Sequence, residues 1–134
     1  MTQRTLRNEV ETKLKTWAES KSPVIQIAYE NVSFTKPTTT FVEVYISPAA
    51  TVNPTVNAKR ATQYGIIQIN IYCKAGEGTK KSEDLAQELI ELFPVIPKSG
   101  TVSIEQTGSI MAPLYDAQWR VLPVRFQYRQ ENYL

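Results

Sequence analysis

Few residues in this chain could carry catalysis, and they are scattered. The 134 residues include no histidine and one cysteine. A Ser-His or Cys-His nucleophile pair is therefore impossible, and the commonest general base and metal ligand is missing. The cysteine, Cys73, falls on the apolar side of an alternating segment, which favours a buried thiol over a nucleophile. We therefore expect no catalytic residue, no metal site and no cofactor, and we do not expect an enzyme.

The acidic residues fit structural roles better than acid–base chemistry. Glu83 and Asp84 follow Ser82 at the start of a predicted helix, where a capping hydroxyl and two acids suit the positive end of the helix dipole. Glu43 and Glu105 lie in different predicted strands. They would form a paired acid only if those strands were neighbours, which the sequence does not establish.

A glycine-rich turn, Gly76-Glu-Gly-Thr-Lys-Lys-Ser82, invites comparison with a phosphate-binding loop. A P-loop needs a glycine directly before its Lys-Ser/Thr pair and another five residues earlier. Here Lys80 precedes Lys81 and Ser82, so the spacing fails. We expect the glycines to turn the chain from strand into helix through positive φ. The helix N-terminus could still bind an anion, but we do not expect a nucleotide site.

That turn lies inside one continuous unit of strand, turn and helix between residues 60 and 94. Alternating apolar and polar residues over 61–73 predict a half-buried strand. An apolar stripe after the turn predicts a helix that Pro94 ends. The strand's apolar face is Ile67, Ile69, Ile71 and Cys73, and the helix stripe is Leu85, Ala86, Leu89, Ile90 and Phe93.

The other periodic segments complete an α+β fold. A first helix is predicted over residues 4–20, with one apolar side. Pro123 cannot donate a ladder hydrogen bond, so we expect the last strand to lie at an edge or to carry a bulge there. The remaining strands are predicted over residues 24–29, 41–47, 101–110 and 118–128.

The predicted elements make a single sheet of five strands, mainly antiparallel or mixed, in the order α-β-β-β-α-β-β. Both helices should pack on one face of this sheet, because each has one apolar side to bury. The helix residues that face the sheet would be Leu6, Val10, Leu14, Trp17, Leu85, Leu89, Ile90 and Phe93. The sheet residues that face the helices would be Val42, Val44, Ile46, Ile67, Ile69, Ile71, Val124 and Phe126.

The length suits a single domain over residues 1–134. Residues 48–60 contain two prolines and no periodicity, and loops of this length are uncommon in a compact domain unless they are functional or mobile. We expect a mobile loop there. It would be either an ordinary hairpin tip or an arm that becomes ordered against a neighbouring subunit.

The overall charge gives no strong indication of a nucleic-acid partner. The net charge is +2 and the basic residues are scattered. Tyr64 and Tyr72, on the outward face of the central strand, could stack bases as in sheet-based RNA-binding domains. The same side chains would suit a subunit interface equally well. No signal peptide or membrane-spanning run is visible, so we expect a protein of the host cytoplasm with no membrane partner.

Four stretches together resemble a known family, the tail-terminator-like proteins of long-tailed phages, which include the lambda-type minor tail protein U. They occur in the family's order and span about four-fifths of the chain. Each is a pattern of apolar residues, glycine and proline. The stretches are Ile25-Gln-Ile-Ala-Tyr-Glu-Asn-Val-Ser-Phe34-Thr-Lys-Pro37, Phe41-Val-Glu-Val-Tyr-Ile46, Tyr64-Gly-Ile-Ile-Gln-Ile-Asn-Ile71 through Gly76-Glu-Gly78, and Trp119-Arg-Val-Leu-Pro-Val-Arg-Phe-Gln-Tyr128.

The resemblance implies a structural protein of a phage or prophage tail. Such a protein forms a homo-oligomeric ring, a hexamer in the assembled tail, and the resemblance leaves open whether the free subunit is a monomer. The ring caps the tail-tube protein, stops tube polymerisation and presents a surface to the head-completion or connector protein. It would be made in the host cytoplasm, reside in the virion tail and bind no specific nucleic acid. We expect its subunit or partner interface to include the outward residues Tyr45, Lys59, Arg60, Tyr64 and Tyr72. Two alternatives remain open, which are another phage neck or tail-completion protein and a small sheet-based nucleic-acid-binding module.

Overall fold

Seven strands and two helices make up the part of the chain described by a computed structural model, residues 3–21, 24–49, 60–95 and 102–133. The fold class is α+β, as predicted. The elements in chain order are α1 (Gln3–Glu19), β1 (Gln26–Ala28), β2 (Phe41–Pro48), β3 (Arg60–Lys74), α2 (Lys80–Leu92), β4 (Val102–Ile104), β5 (Ser109–Ile110), β6 (Leu114–Asp116) and β7 (Trp119–Tyr133).

The centre of the sheet is a long antiparallel pair, β3 with β7. Fifteen residue pairs join them without a break, from Arg60 opposite Tyr133 to Lys74 opposite Trp119. On the other side of β3 lies β2, antiparallel, and β1 runs parallel to β2 at one edge of the sheet. The short strands β4, β5 and β6 pair one after another with the free side of β7. The sheet is therefore mixed.

The prediction of five strands was wrong, because the described sheet has seven. The predicted fourth strand, residues 101–110, is interrupted between β4 and β5, and β6 lies between the predicted fourth and fifth strands, where no strand was predicted. Gly108 lies in that interruption, where an added Cβ atom would approach Cδ1 of Phe126 to 2.8 Å, so the chain passes close over a core ring. All three short strands share one side of β7.

Pro123 does not place β7 at an edge, so the first of its two predicted alternatives is wrong. β7 has neighbours on both sides, and its register with β3 is unbroken. The irregularity lies in the neighbouring run, where residues 111–113 fall between β5 and β6 and oppose two residues of β7. The carbonyl of Pro123 accepts a 2.9 Å hydrogen bond from the Met111 amide on that side. The missing proline N–H therefore faces an interrupted strand, where the loss of one donor is tolerated.

Both helices cover one face of the sheet, as predicted, and join it in one apolar core. Every sheet residue expected to face the helices is at most 4% exposed. All the expected helix residues are buried in the same cluster except Ile90, which is partly buried and packs against it. The helices also contact each other, since the Trp17 indole donates a 3.2 Å hydrogen bond to Glu88 and Lys21 forms an ion pair with the same carboxylate. The alternating pattern thus correctly predicted which strand residues face the helices.

The start of α2 differs in detail from its prediction. The helix begins at Lys80 with Thr79 as its N-cap, and Thr79 makes no side-chain capping bond. Ser82 therefore lies in the first turn. Its hydroxyl donates a 3.1 Å hydrogen bond to the Thr79 carbonyl instead of capping an N–H group. Gly76 and Gly78 have φ values of 89° and 86°, so the predicted positive φ at the strand-to-helix turn is confirmed.

Candidate interaction surface

The face of the sheet opposite the helices carries a chain of polar side chains linked by hydrogen bonds. Arg125 Nε donates to Gln68 Oε1 at 2.8 Å, and Gln68 Nε2 donates to Asn70 Oδ1 at 2.9 Å. Asn70 Nδ2 in turn donates to Glu43 Oε1 at 3.4 Å, and the Tyr72 hydroxyl donates to the same oxygen at 2.7 Å. The chain crosses β7, β3 and β2. We call these five residues the polar ladder.

Strand register explains why these residues meet. Glu43 lies opposite Asn70 across the β2–β3 pair, and Gln68 lies opposite Arg125 across the β3–β7 pair. Directly opposed side chains on one face of an antiparallel pair are close enough to bond. The alternation that buries one set of side chains under the helices therefore aligns the polar set on the other face.

A small aromatic cluster covers one end of the polar ladder. Phe41 stacks on Tyr72 with ring centroids 4.4 Å apart, and Trp119 meets Phe41 edge-on at 5.1 Å. Phe34 lies against Phe41 at 5.3 Å, and Lys36 Nζ is 5.7 Å from the centroid of the Tyr72 ring. Such offset and edge-to-face contacts add to the stabilisation from burial. The segment before β2 therefore covers this part of the outward face.

Two tyrosines on this face have raised pKa values. Burial raises the pKa of Tyr72, and its hydrogen bond to the Glu43 carboxylate raises it further. Burial likewise raises the pKa of Tyr45, with the Glu43 charge as the next cause. Both phenols therefore stay protonated to a higher pH than an ordinary tyrosine, and Tyr72 acts as a hydrogen-bond donor.

An open groove lies at the other end of the ladder. It has a volume of about 320 Å³, and its lining includes Tyr45, Ile66, Gln68 and Arg125. Tyr45 is 40% exposed and Ile66 is 37% exposed. Large apolar and aromatic side chains beside hydrogen-bonding groups are the composition that protein interfaces favour.

The five predicted interface residues are not equivalent. Tyr45 is exposed at the groove. Tyr64 is partly buried on β3, the strand that supplies three of the five ladder residues. Tyr72 does lie on the outward face, but it is only 9% exposed because the aromatic cluster covers it. Arg60 begins β3, with a side chain that is not described, and Lys59 lies outside the described residues. Their part in an interface stays a prediction, as does an arm over residues 48–60, of which 50–59 are not described.

Sequence reasoning missed the most exposed apolar side chains, which lie on the run beside β7. Leu114 is 62% and Tyr115 69% exposed, and Ile110 and Met111 are also exposed. A signal for them existed. Residues 109–115 form a run of seven consecutive uncharged residues, of which only the first two were predicted to lie in a strand.

The described residues offer little for catalysis. Glu43 and Glu105 do not form a paired acid, because β3 and β7 separate β2 from the residue that follows β4. Cys73 is buried, and its sulfur lies 3.6 Å from the Thr40 hydroxyl. No group of three or more Cys, Asp or Glu side chains in the described ranges could hold a metal ion. No helix there is long and apolar enough to cross a membrane.

Comparison with known proteins identifies the family. A family model described as phage tail terminator protein matches residues 5–128. The chain belongs to the phage tail terminator family. This confirms the resemblance seen in the sequence, and the match includes nearly all of α1, all of α2 and most of β7. The members of this family are structural proteins of phage tails.

Solved structures share the fold of this family member. Eight of their chains match it. One of them, whose name states no function, is 27% identical and superimposes with a TM-score of 0.81. That similarity covers all of this chain and 99% of the other. No curated protein matches the chain.

Proposed function

We propose that this protein is the tail terminator of a phage or prophage. It forms a ring, a hexamer in the assembled tail, that caps the tail tube, stops tube polymerisation and presents a surface for head joining. The family match over residues 5–128 is the observation that carries this proposal. Its partners are further copies of itself, the tail-tube protein and a head-completion or connector protein. It acts in the host cytoplasm during assembly and in the virion tail afterwards.

The surface chemistry supports a binding role without catalysis. The polar ladder offers ordered donors and acceptors, and Tyr45 and Ile66 stand exposed beside it. A capping ring needs complementary surfaces and no reacting group. Aromatic side chains and arginine often carry the energy of such interfaces, which makes Tyr45 and Arg125 the residues of choice for substitution.

The alternative of a nucleic-acid-binding module has lost part of its support. It relied on Tyr64 and Tyr72 as a platform on which bases could stack. Tyr72 is 9% exposed and already stacked on Phe41, so its ring face is not free for a base. Another neck or tail-completion role would keep the same fold and change only the partner.

The test is tail assembly in a phage that lacks the gene. We expect deletion to give tails of abnormal length that do not join heads, and the wild-type gene to restore both properties. Electron microscopy measures the tail length. Tyr45→Ser should impair restoration without unfolding the subunit, whereas Glu77→Gln, at an exposed turn residue away from the groove, should restore tails fully. Tails of normal length joined to heads in the deletion strain would contradict the proposal.

A further inference from the structure

Strand β2 has a neighbouring strand along only part of one of its edges. β3 pairs with all eight residues of β2, whereas β1 pairs only with Phe41, Val42 and Glu43. No described strand lies beside residues 44–48 on the β1 side. A free edge of this kind presents backbone groups to which another chain can add a strand.

The hydrogen-bond pattern shows which backbone groups face that free edge. The Ala49 N–H donates a 2.7 Å hydrogen bond to the Tyr64 carbonyl of β3, so the odd-numbered residues of β2 face β3. Bonded and non-bonded pairs alternate along antiparallel strands, so the backbone groups of the even-numbered residues face the β1 side. The even-numbered residues beyond the pairing with β1 are Val44, Ile46 and Pro48.

Each of these three positions is closed in a different way. Ala28 pairs with Glu43, and a residue of a parallel pair bonds to the residues that flank its partner, so the Val44 N–H donates to the Ala28 carbonyl. Pro48 has no N–H. The Ile46 N–H donates a 3.0 Å hydrogen bond to Oε1 of Glu30. The amide that neither β1 nor the proline accounts for is therefore bonded by a side chain.

Glu30 reaches Ile46 because the chain turns just after β1. Asn31 has a φ of 57°, and the Val32 N–H donates to the Tyr29 carbonyl at 3.4 Å. Asparagine adopts this left-handed conformation more readily than most residues. If β1 continued as a strand, the main-chain carbonyl of Glu30 would be the next acceptor, for the Ile46 N–H. The side chain of the same residue takes its place.

A second donor holds the Glu30 carboxylate at the edge. Arg7 of α1 donates from Nη2 to the same Glu30 oxygen at 3.1 Å, and from Nη1 to Glu11 at 3.3 Å. Hydrogen bonds between ionised groups are stronger than those between neutral groups. The Arg7 and Glu30 side chains are 29% and 35% exposed, so water only partly surrounds this ion pair. The first helix thus fixes the position of the carboxylate.

We propose that Glu30 closes the free edge of β2 against the addition of another strand. We call its carboxylate the edge cap. It occupies the Ile46 N–H and places a negative charge where the backbone of an added strand would lie. Charged side chains and proline are common means of protecting a sheet edge, and Glu30 and Pro48 supply one of each. The role is separate from the proposed terminator function, because it concerns an edge that the folded subunit keeps unpaired.

Three substitutions of one residue separate the hydrogen bond from the charge. Glu30→Gln keeps an oxygen at the same reach and removes the charge. Glu30→Asp keeps the charge on a side chain that is one methylene shorter, and Glu30→Ala removes both. Glu11→Ala is the matched control, because it removes the other carboxylate that Arg7 bonds and leaves the acceptor of the Ile46 N–H in place. Hydrogen exchange of the Ile46 amide, followed by NMR, measures the bond.

We expect the Ile46 amide to exchange at least about tenfold faster in Glu30→Ala and Glu30→Asp than in the wild type, because its hydrogen bond is lost. Glu30→Gln and Glu11→Ala should exchange at close to the wild-type rate. The comparison of Glu30→Asp with Glu30→Gln carries the test even where Glu30→Ala fails to fold.

Thioflavin T fluorescence during incubation measures association through paired strands. Glu30→Ala and Glu30→Asp should associate faster than the wild type and Glu30→Gln. Ser82→Ala controls for lost stability, because Ser82 is buried in α2 and lies outside this edge. It should associate more slowly than the two variants that open the edge.

Three results would overturn the edge cap. The first is exchange of the Ile46 amide at the wild-type rate in Glu30→Asp and Glu30→Ala. The second is fast exchange in Glu30→Gln with slow exchange in Glu30→Asp, which would make the charge and not the bond responsible. The third is association of the edge-opening variants no faster than that of Ser82→Ala. Tail assembly enters none of these measurements, so the terminator function stands or falls separately.

Discussion

The Tyr72 hydroxyl donates a 2.7 Å hydrogen bond to a Glu43 carboxylate oxygen on the sheet face that the helices leave uncovered. The two residues belong to neighbouring strands, and Asn70 reaches the same oxygen. This bond joins the aromatic cluster to the polar ladder. It also places the neutral hydroxyl of Tyr72 against the Glu43 carboxylate. The contribution of this bond to the free energy of unfolding, and the dependence of that contribution on pH, can therefore both be measured.

Removal of that hydroxyl should lower the stability of the fold. We expect Tyr72→Phe to lower the free energy of unfolding by about 1.5–3 kcal/mol, the usual range for a hydrogen bond to a charged group. The ring stays in place, so its stacking on Phe41 is kept. Urea unfolding measures the change. Tyr115→Phe is the control, because Tyr115 is 69% exposed and its loss should change stability by less than about 0.5 kcal/mol. Equal effects of the two substitutions would contradict the role of the bond.

The same bond predicts a pH dependence at the alkaline side. The folded pKa of Tyr72 is raised above its ordinary value of about 10, so the protonated phenol stabilises the fold. This contribution is complete below about pH 10 and is lost as the pH rises through the folded pKa. The stability difference between the wild type and Tyr72→Phe should therefore shrink above about pH 10. Urea unfolding at a series of pH values measures it, and a difference that grows with pH would contradict the raised pKa.

The core prediction concerns the two faces of β3. Ile69→Ala should lower the free energy of unfolding by about 2–5 kcal/mol, because the side chain is fully buried and its removal leaves a cavity. Ile66→Ala on the same strand should cost less than about 1 kcal/mol, since Ile66 is 37% exposed on the other face. Denaturant unfolding of the two variants compares them directly. A cost for Ile69→Ala below about 0.5 kcal/mol would remove the strand from the core.

A buried cation beside α2 gives a further prediction. Arg120 is 8% exposed, and its Nη1 donates a 2.8 Å hydrogen bond to the Ser82 hydroxyl. Its Nε has no partner among the described residues. Ser82→Ala should cost about 1–3 kcal/mol, because it removes an acceptor from a buried charged group. In an Arg120→Met background the same substitution should cost much less, because no charge is left unpaired.

A double-mutant cycle measures this coupling. The four proteins are the wild type, the two single variants and the double variant, each unfolded in urea. We expect an interaction energy of at least about 0.5 kcal/mol between the two positions. Additive costs would mean that the bond contributes nothing and that Ser82 acts only through the Thr79 carbonyl, to which its hydroxyl also bonds.

Much of the fold could be predicted because apolar alternation determines the face on which each strand residue lies. Ile67, Ile69 and Ile71 illustrate this, since a shift of one residue would have exposed all three. The interruption of the strand run beside β7 could not be read in this way. The run also passes close over the Phe126 ring at Gly108, a tertiary contact that no local sequence pattern shows.

The interaction surface was harder to predict than the core. Alternation correctly placed Tyr72 on the outward face, but it carries no information on whether another segment lies above that face. Phe34 and Lys36 come from the link between β1 and β2, and their position over the aromatic cluster is a tertiary contact. Glu30 is similar, since its carboxylate accepts hydrogen bonds from the Ile46 amide and from Arg7, on two other elements.

The position of β7 in the chain determines when the protein can fold. β7 follows all the other described strands in the chain, and β3, β4, β5 and β6 all pair with it. While a ribosome is still adding residues before Trp119, β3 has one open edge and its isoleucines lack half of their sheet. Open edges of this kind pair readily with other chains. Folding is thus completed only after residues 119–133 emerge, and a polypeptide that stops short of them would expose an aggregation-prone strand to the cell.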